Sequence, residues 1–180
     1  MTNVPHLERS TAPAAEPLTV TEAKNYLKVS GSDDDTLITG LIQTAREAAE
    51  KFLKSSLITQ SWKLSYDEYA PSVIKLPMAP VQSITSVTAY ARDESSTVVS
   101  SGNYYLSAGN QKLMFEATTV SHRVEIIYVT GYGASAADVP NPIKQAMLAH
   151  IAAIYDGRAG ANVIPAQSQS LYAPYRVVRF

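Results

Sequence analysis

Apolar residues recur every three to four positions over residues 33–54 and 142–156, and at alternate positions in short runs between Leu57 and Thr130. The first pattern is that of a helix with one face on a core, the second that of half-buried strands. In the helix over 33–54, Leu37, Ile38, Leu41, Ile42, Ala45, Ala48, Ala49 and Phe52 form a wide stripe. Gln43, Arg46, Glu47, Glu50, Lys51 and Lys54 are expected on the opposite, solvated face, with Glu47 and Lys51 at salt-bridge spacing. A shorter helix over 21–29 is announced by Thr19 and Glu22, three residues apart as in a capping box, and Ser30-Gly31 is read as its stop. Asn141 and Pro142 open the last helix and Gly157 closes it.

Between the helices, Ile58, Gln60, Trp62, Leu64 and Tyr66 share one face of a strand. Further strands are expected at Val81 to Ala91, Asn103 to Leu106, Lys112 to Phe115 and Arg123 to Thr130. Arg92-Asp93-Glu94-Ser95-Ser96 reads as a hairpin tip, and connections this short require antiparallel pairing. The fold class is therefore α+β: two N-terminal helices and a C-terminal helix packed together, with an antiparallel β subdomain inserted at residues 57–130. Residues 1–16, without an apolar period, are read as a flexible arm, 17–158 as a single domain, and 159–180 as an extended tail, partly disordered until bound.

The final helix is apolar over most of its circumference and needs covering on two sides. Ile143, Met147, His150, Ile151 and Ile154 are accordingly candidate subunit contacts. The tail combines aromatic area with charge, and Leu171, Tyr172, Tyr175, Arg176, Val178, Arg179 and Phe180 are its candidate anchors.

Composition adds limits. The chain has 180 residues, 46% hydrophobic and 17% charged, enough for a sizeable core. Its formal charge of −1 provides no general attraction to nucleic acid. Residues 139–180 carry Lys144, Arg158, Arg176 and Arg179 against Asp156, a balance of +3, which leaves −4 on residues 1–138. With no cysteine there are neither disulfides nor thiolate metal sites, and no apolar run approaches the roughly 18 residues of a membrane span. A cytoplasmic protein without a membrane partner is expected.

Candidate chemistry is sparse. Asp33-Asp34-Asp35 lacks the glycine and distal glutamate of a calcium loop and is read as a helix start. His6, His122 and His150 are scattered, and no nucleophile elbow, zinc motif, phosphate loop or dinucleotide fingerprint occurs. No catalytic residue, cofactor or metal is assigned. Val129-Thr130-Gly131-Tyr132-Gly133 is read as a strand end and turn. Trp62 and the eleven tyrosines are read as core, although a carbohydrate-binding face of a tail or baseplate module is the alternative.

The order of these motifs carries a resemblance. At the front stand Pro17-Leu18, Glu22-Ala23-Lys24, Tyr26-Leu27-Lys28-Val29, Leu37-Ile38, Leu41-Ile42, Ala45-Arg46-Glu47 and Glu50. The middle has Gln60-Ser61-Trp62, Leu76-Pro77, Pro80-Val81, Tyr90, Tyr105, Ile126-Ile127-Tyr128 and Gly131-Tyr132-Gly133. At the back stand Val139-Pro140, Ile143-Lys144-Gln145-Ala146, Tyr155-Asp156-Gly157-Arg158, Pro165 and Pro174-Tyr175-Arg176. Together they resemble the head-tail connector, or adaptor, proteins of long-tailed double-stranded DNA phages and gene transfer agents. Asp156-Gly157 departs from the Glu-Asn pair that this family often shows before the arginine. The resemblance implies a non-enzymatic virion subunit in the neck, assembled in the host cytoplasm. It would form a dodecameric ring below the portal protein, dock the stopper or tail-completion protein, and extend a channel through which DNA passes without sequence-specific binding. A ring that closes only on the portal implies a monomer in isolation.

Overall fold

A computed structural model describes residues 4–67, 70–107, 109–116, 122–157, 160 and 163–177. In chain order its elements are β1 (His6–Thr11), α1 (Val20–Leu27), α2 (Asp35–Leu53), β2 (Gln60–Tyr66), β3 (Val73–Lys75), β4 (Val81–Tyr90), β5 (Ser96–Val98), β6 (Tyr104–Leu106), β7 (Lys112–Phe115), β8 (Arg123–Thr130), α3 (Asn141–Tyr155) and α4 (Ala166–Tyr172). The mixed α+β class and the antiparallel strands agree with the sequence reading. The chain divides into two compact units, residues 1–12 with 59–131, and residues 13–58 with 132–180.

The first unit holds two antiparallel sheets, a five-stranded one in the order β1-β2-β8-β4-β5 and a three-stranded one in the order β3-β7-β6. β8 is central because its alternation is the cleanest in the chain: Val124, Ile126, Tyr128 and Thr130 are buried. Ile126 lies opposite Leu64 of β2 and Val87 of β4, and these join Ile74 and Leu113 in one apolar cluster. The expected hairpin tip joins β4 to β5, with the Ala91 amide donating to the Ser95 carbonyl at 2.9 Å.

One expectation fails here. The N-terminal segment contains a strand, β1, that pairs antiparallel with β2 along His6 to Thr11 and has a register shift between Arg9 and Thr11. Its only half-buried residue is Leu7, so there was no apolar period to read. The backbone ladder holds it, helped by the Glu8–Lys63 ion pair at 2.6 Å and by the Arg9 guanidinium 5.3 Å from the Trp62 ring centroid.

The second unit gathers the four helices. Thr19 and Glu22 form the capping box that opens α1, with the Glu22 amide donating to Thr19 Oγ1 at 3.1 Å and the Thr19 amide to Glu22 Oε2 at 2.8 Å. α1 ends earlier than Gly31, where Lys28 takes a left-handed conformation with φ 58°. α3 begins at Asn141, the residue expected to cap it, with Pro140 at the cap and Pro142 in the first turn. It stops at Gly157 as expected, with φ 68°.

Ile38, Leu41, Ile42, Ala45, Ala49 and Leu53 of α2 face Ile143, Ala146, Met147 and Ile151 of α3 in a common core. α3 does need covering on two sides, and the chain covers both itself. α1 and α2 pack on it, and so does α4, a helix unforeseen in the tail. Ser168 Oγ of α4 donates to the Ala146 carbonyl at 2.8 Å, and Tyr172 enters the core fully buried.

Candidate functional site

The candidate anchors of the tail separate into three groups. Tyr172 is a core residue, its ring 5.9 Å from Phe52. Its hydroxyl has no hydrogen-bond partner, and burial pushes its pKa up. Leu171 and Tyr175 are half-buried against the same core, and Arg176 is exposed. Val178, Arg179 and Phe180 lie outside the described residues. The segment folds back on its own unit: the Val177 amide donates to the Leu53 carbonyl at 3.1 Å, and the Arg176 guanidinium stands 5.2 Å from the Phe52 ring centroid. The expectation of an extended tail is thus corrected for residues 166–175, which are helical. The reason is that α4 is one short amphipathic turn pair that becomes helical only by packing on α3, a tertiary effect.

The candidate subunit contacts are also redistributed. Ile143, Met147, His150 and Ile151 have no exposed surface, because the chain's own helices surround them. Ile154 keeps part of its surface. His150 is fully buried, and desolvation lowers its pKa against a smaller opposing contribution from hydrogen bonding to the Val163 backbone.

Sequence reasoning missed the most charged interior feature. Arg46 and Glu50, assigned to the solvated face of α2, are 5% and 3% exposed. Arg46 Nε donates to Glu16 at 2.8 Å and Nη1 to Glu50 Oε2 at 3.2 Å, while Glu50 Oε1 accepts the Leu57 amide at 2.9 Å. Burial works against the arginine's charge, but the hydrogen bond to Glu16 and the fields of Glu16, Glu50 and Glu47 outweigh it and raise its pKa. Glu47 itself lies 3.6 Å from Arg46. The cluster fastens the chain before α1 and after α2 to the flank of α2. Its only signal was the Arg-x-x-x-Glu spacing of Arg46 and Glu50, which also describes a solvated face.

The Asp33-Asp34-Asp35 turn is likewise structural in part, though without the side-chain cap that was expected. Asp34 Oδ2 accepts from the Tyr155 hydroxyl at 2.5 Å and Asp35 pairs with Lys24 at 2.6 Å, while Lys144 pairs with Glu22 at 2.8 Å. These contacts tie α1, α2 and α3 together. The Lys144 ammonium and the Thr19 amide hold the Glu22 carboxyl below its usual range. Among the described residues no group of three or more His, Cys, Asp or Glu could hold a metal ion, and no helix is long and apolar enough to cross a membrane.

Among the described residues, the helical unit has surface clefts that include one of about 530 Å³ lined by Ala48, Lys51, Phe52, Lys54, Ile164 and Arg176. Another, of about 450 Å³, lies between Tyr26 and Leu27, the alanines 149, 152 and 153, and Asp156, Pro165 and Gln167.

The model of the head completion protein family matches residues 16–154. The chain belongs to the head completion protein family. Solved structures of similar fold include a chain in the neck of an empty gene transfer agent (GTA) particle computed with C6 symmetry. That chain is 24% identical over 97% of each chain, with TM-score 0.79. Another stands in the virion of a native GTA particle, 24% identical over 97% of this chain and 96% of that one, with TM-score 0.76. A third stands in the neck of a native GTA particle computed with C12 symmetry, 26% identical over 97% of each chain, with TM-score 0.77. No curated protein sequence matches the chain significantly. The match of this head completion protein spans α1, α2, strands β2 to β8 and nearly all of α3, which agrees with the connector resemblance read from the sequence.

Proposed function

We propose that this head completion protein is a structural neck subunit of a phage or phage-like particle, without catalytic activity. In this reading it forms a dodecameric ring between the portal protein and the stopper or tail-completion protein, and the ring extends the DNA channel. The observation that carries the reading is the likeness, over 97% of both chains, to a chain from a GTA neck computed with C12 symmetry. The near-neutral chain supports it as well, since a strongly basic lumen would retain the DNA that has to slide through. Assembly takes place in the host cytoplasm and the finished subunit resides in the particle's neck.

Portal docking is assigned to Leu171 and Tyr175, which keep part of their surface, together with Val178, Arg179 and Phe180, while Tyr172 in the core and Arg176 over Phe52 hold that segment on the helices. Of the candidate subunit contacts, Ile154 retains the surface for the role, and Ile143, Met147, His150 and Ile151 support it from beneath.

The test mixes the purified chain with the portal protein encoded beside its gene and follows mass by light scattering. The chain alone is expected to be monomeric and the mixture to give a larger species. A mixture that stays at the separate masses with both proteins concentrated refutes the reading. The Y175A variant should fold normally and bind the portal protein at least about 30-fold more weakly, the effect of losing an interface centre of about 2 kcal/mol.

A further inference from the structure

We propose that the basic cleft at the C-terminal end of α2 receives the acidic turn at the N-terminal end of α2 from a second copy, so that neighbouring subunits join head to tail. The inference rests on the ring reading above and names the surfaces that would make the ring.

Lys51, Lys54 and Arg176 converge on one open cleft, and none of them has an acidic partner among the described residues. Three like charges brought together raise each other's energy until an anion joins them. The dipole of α2 accounts for lysines in its last turn. It does not account for Arg176, which comes from the separate segment after α4 and is held over Phe52. The cleft is also partly apolar, through Ala48, Phe52 and Ile164.

The other end of the same helix has the complementary make-up. Asp33, Asp34 and Asp35 stand against one paired ammonium, that of Lys24, since the second contact of the turn is with the neutral Tyr155 hydroxyl. Asp33, in the turn before the cap, is exposed and has no partner among the described residues. In the first turn of α2 that follows, Leu37 is 54% exposed, one of the few large apolar side chains left in solvent among the described residues. An exposed leucine beside uncompensated carboxylates is the counterpart of an aromatic cleft ringed by uncompensated cations.

The two ends cannot satisfy each other within one molecule. α2 has 19 residues and is about 28 Å long at 1.5 Å per residue. Pairing the N-terminal end of one copy with the C-terminal end of the next uses two different surfaces per subunit. Such a heterologous contact repeats around a closed ring when its rotation closes. A DNA phosphate would meet the charge of the cleft but neither its apolar lining nor the exposed Leu37 beside the acidic turn, which is why a second copy is favoured.

The absence of cysteine makes the test direct. The full-length S32C/A48C variant, which keeps every charge of the acidic turn and of the cleft, is treated with a short bis-maleimide, alone and with the portal protein, at low and at 1 M salt. A ladder of covalent oligomers is expected at low salt, with the single variants giving no ladder. The ladder should fade at 1 M salt, where charges are screened beyond about 3 Å. It should also fade in a K54E background. Light scattering that reports a ring without a ladder overturns the head-to-tail assignment and leaves the ring reading standing. No species larger than a monomer, with or without portal protein, removes both. A ladder that persists in K54E while duplex-DNA binding is lost makes the cleft a phosphate site and overturns the proposal.

Discussion

Truncating Tyr172 is the sharpest test of how the C-terminal segment is held. The side chain has no exposed surface, packs against Phe52 at 5.9 Å, and keeps its hydroxyl without a partner. Y172A removes the whole ring and leaves a cavity bordered by α2, α3 and α4, a change that costs about 3–5 kcal/mol for a large buried aromatic. In a protein of this size 1 kcal/mol shifts Tm by roughly 2–4 °C, so Y172A should lower it by about 10 °C. Y172F keeps the ring and removes a buried polar atom that has no hydrogen bond. Its stability should equal or exceed that of the parent, because desolvating an unpaired hydroxyl costs about 1–3 kcal/mol and the phenyl ring does not carry that penalty. Urea unfolding followed by circular dichroism, with the slopes compared, separates these outcomes. A Y172A midpoint within about 1 kcal/mol of the parent would show that the segment is not packed on the helices, and a Y172F loss above 1 kcal/mol would show that the hydroxyl is paired. The same geometry means that deleting residues 168–180 would remove core, so a loss of portal binding in that deletion would not report on docking.

Three further outcomes follow from the helical unit. E50A leaves Arg46 buried with one of its carboxylates gone and the Leu57 amide unpaired, and should destabilise the protein by about 3–5 kcal/mol in denaturant titrations. Burial keeps His150 neutral in the fold, so the unfolded chain takes up the proton first as pH falls. Stability should therefore decline as pH drops below the ordinary imidazole value of about 6.5, and Tm measured from pH 7.5 to pH 5 should fall less in H150L. A Cβ at Gly133 would collide with the Asp138 side chain, whose carboxylate accepts from both the amide and the hydroxyl of Ser135. G133A should accordingly lower Tm by several degrees, and recovery of that loss in G133A/D138A would identify the collision as its cause.

Much of this fold is written locally. The long stripe of α2, the Thr19–Glu22 capping box, the left-handed Gly157 after α3 and the strict alternation of β8 each depend on neighbours within a few residues, so period and spacing are enough to find them. The family likeness was legible for the same reason, since it lies in the order of those local signals. What the sequence alone left open depends on distant partners. β1 has almost no buried side chain and becomes a strand because β2 offers its edge, so no periodicity could announce it. α4 is too short to be helical by propensity and exists because α3 has a second apolar face to cover, a face that sequence reasoning assigned to another subunit. Arg46 and Glu50 have the spacing of an exposed ion pair. Only the arrival of Glu16 from before α1 and the Leu57 amide from after α2 makes their burial tolerable, since charges leave water only where every donor and acceptor is met by a chain segment remote in sequence.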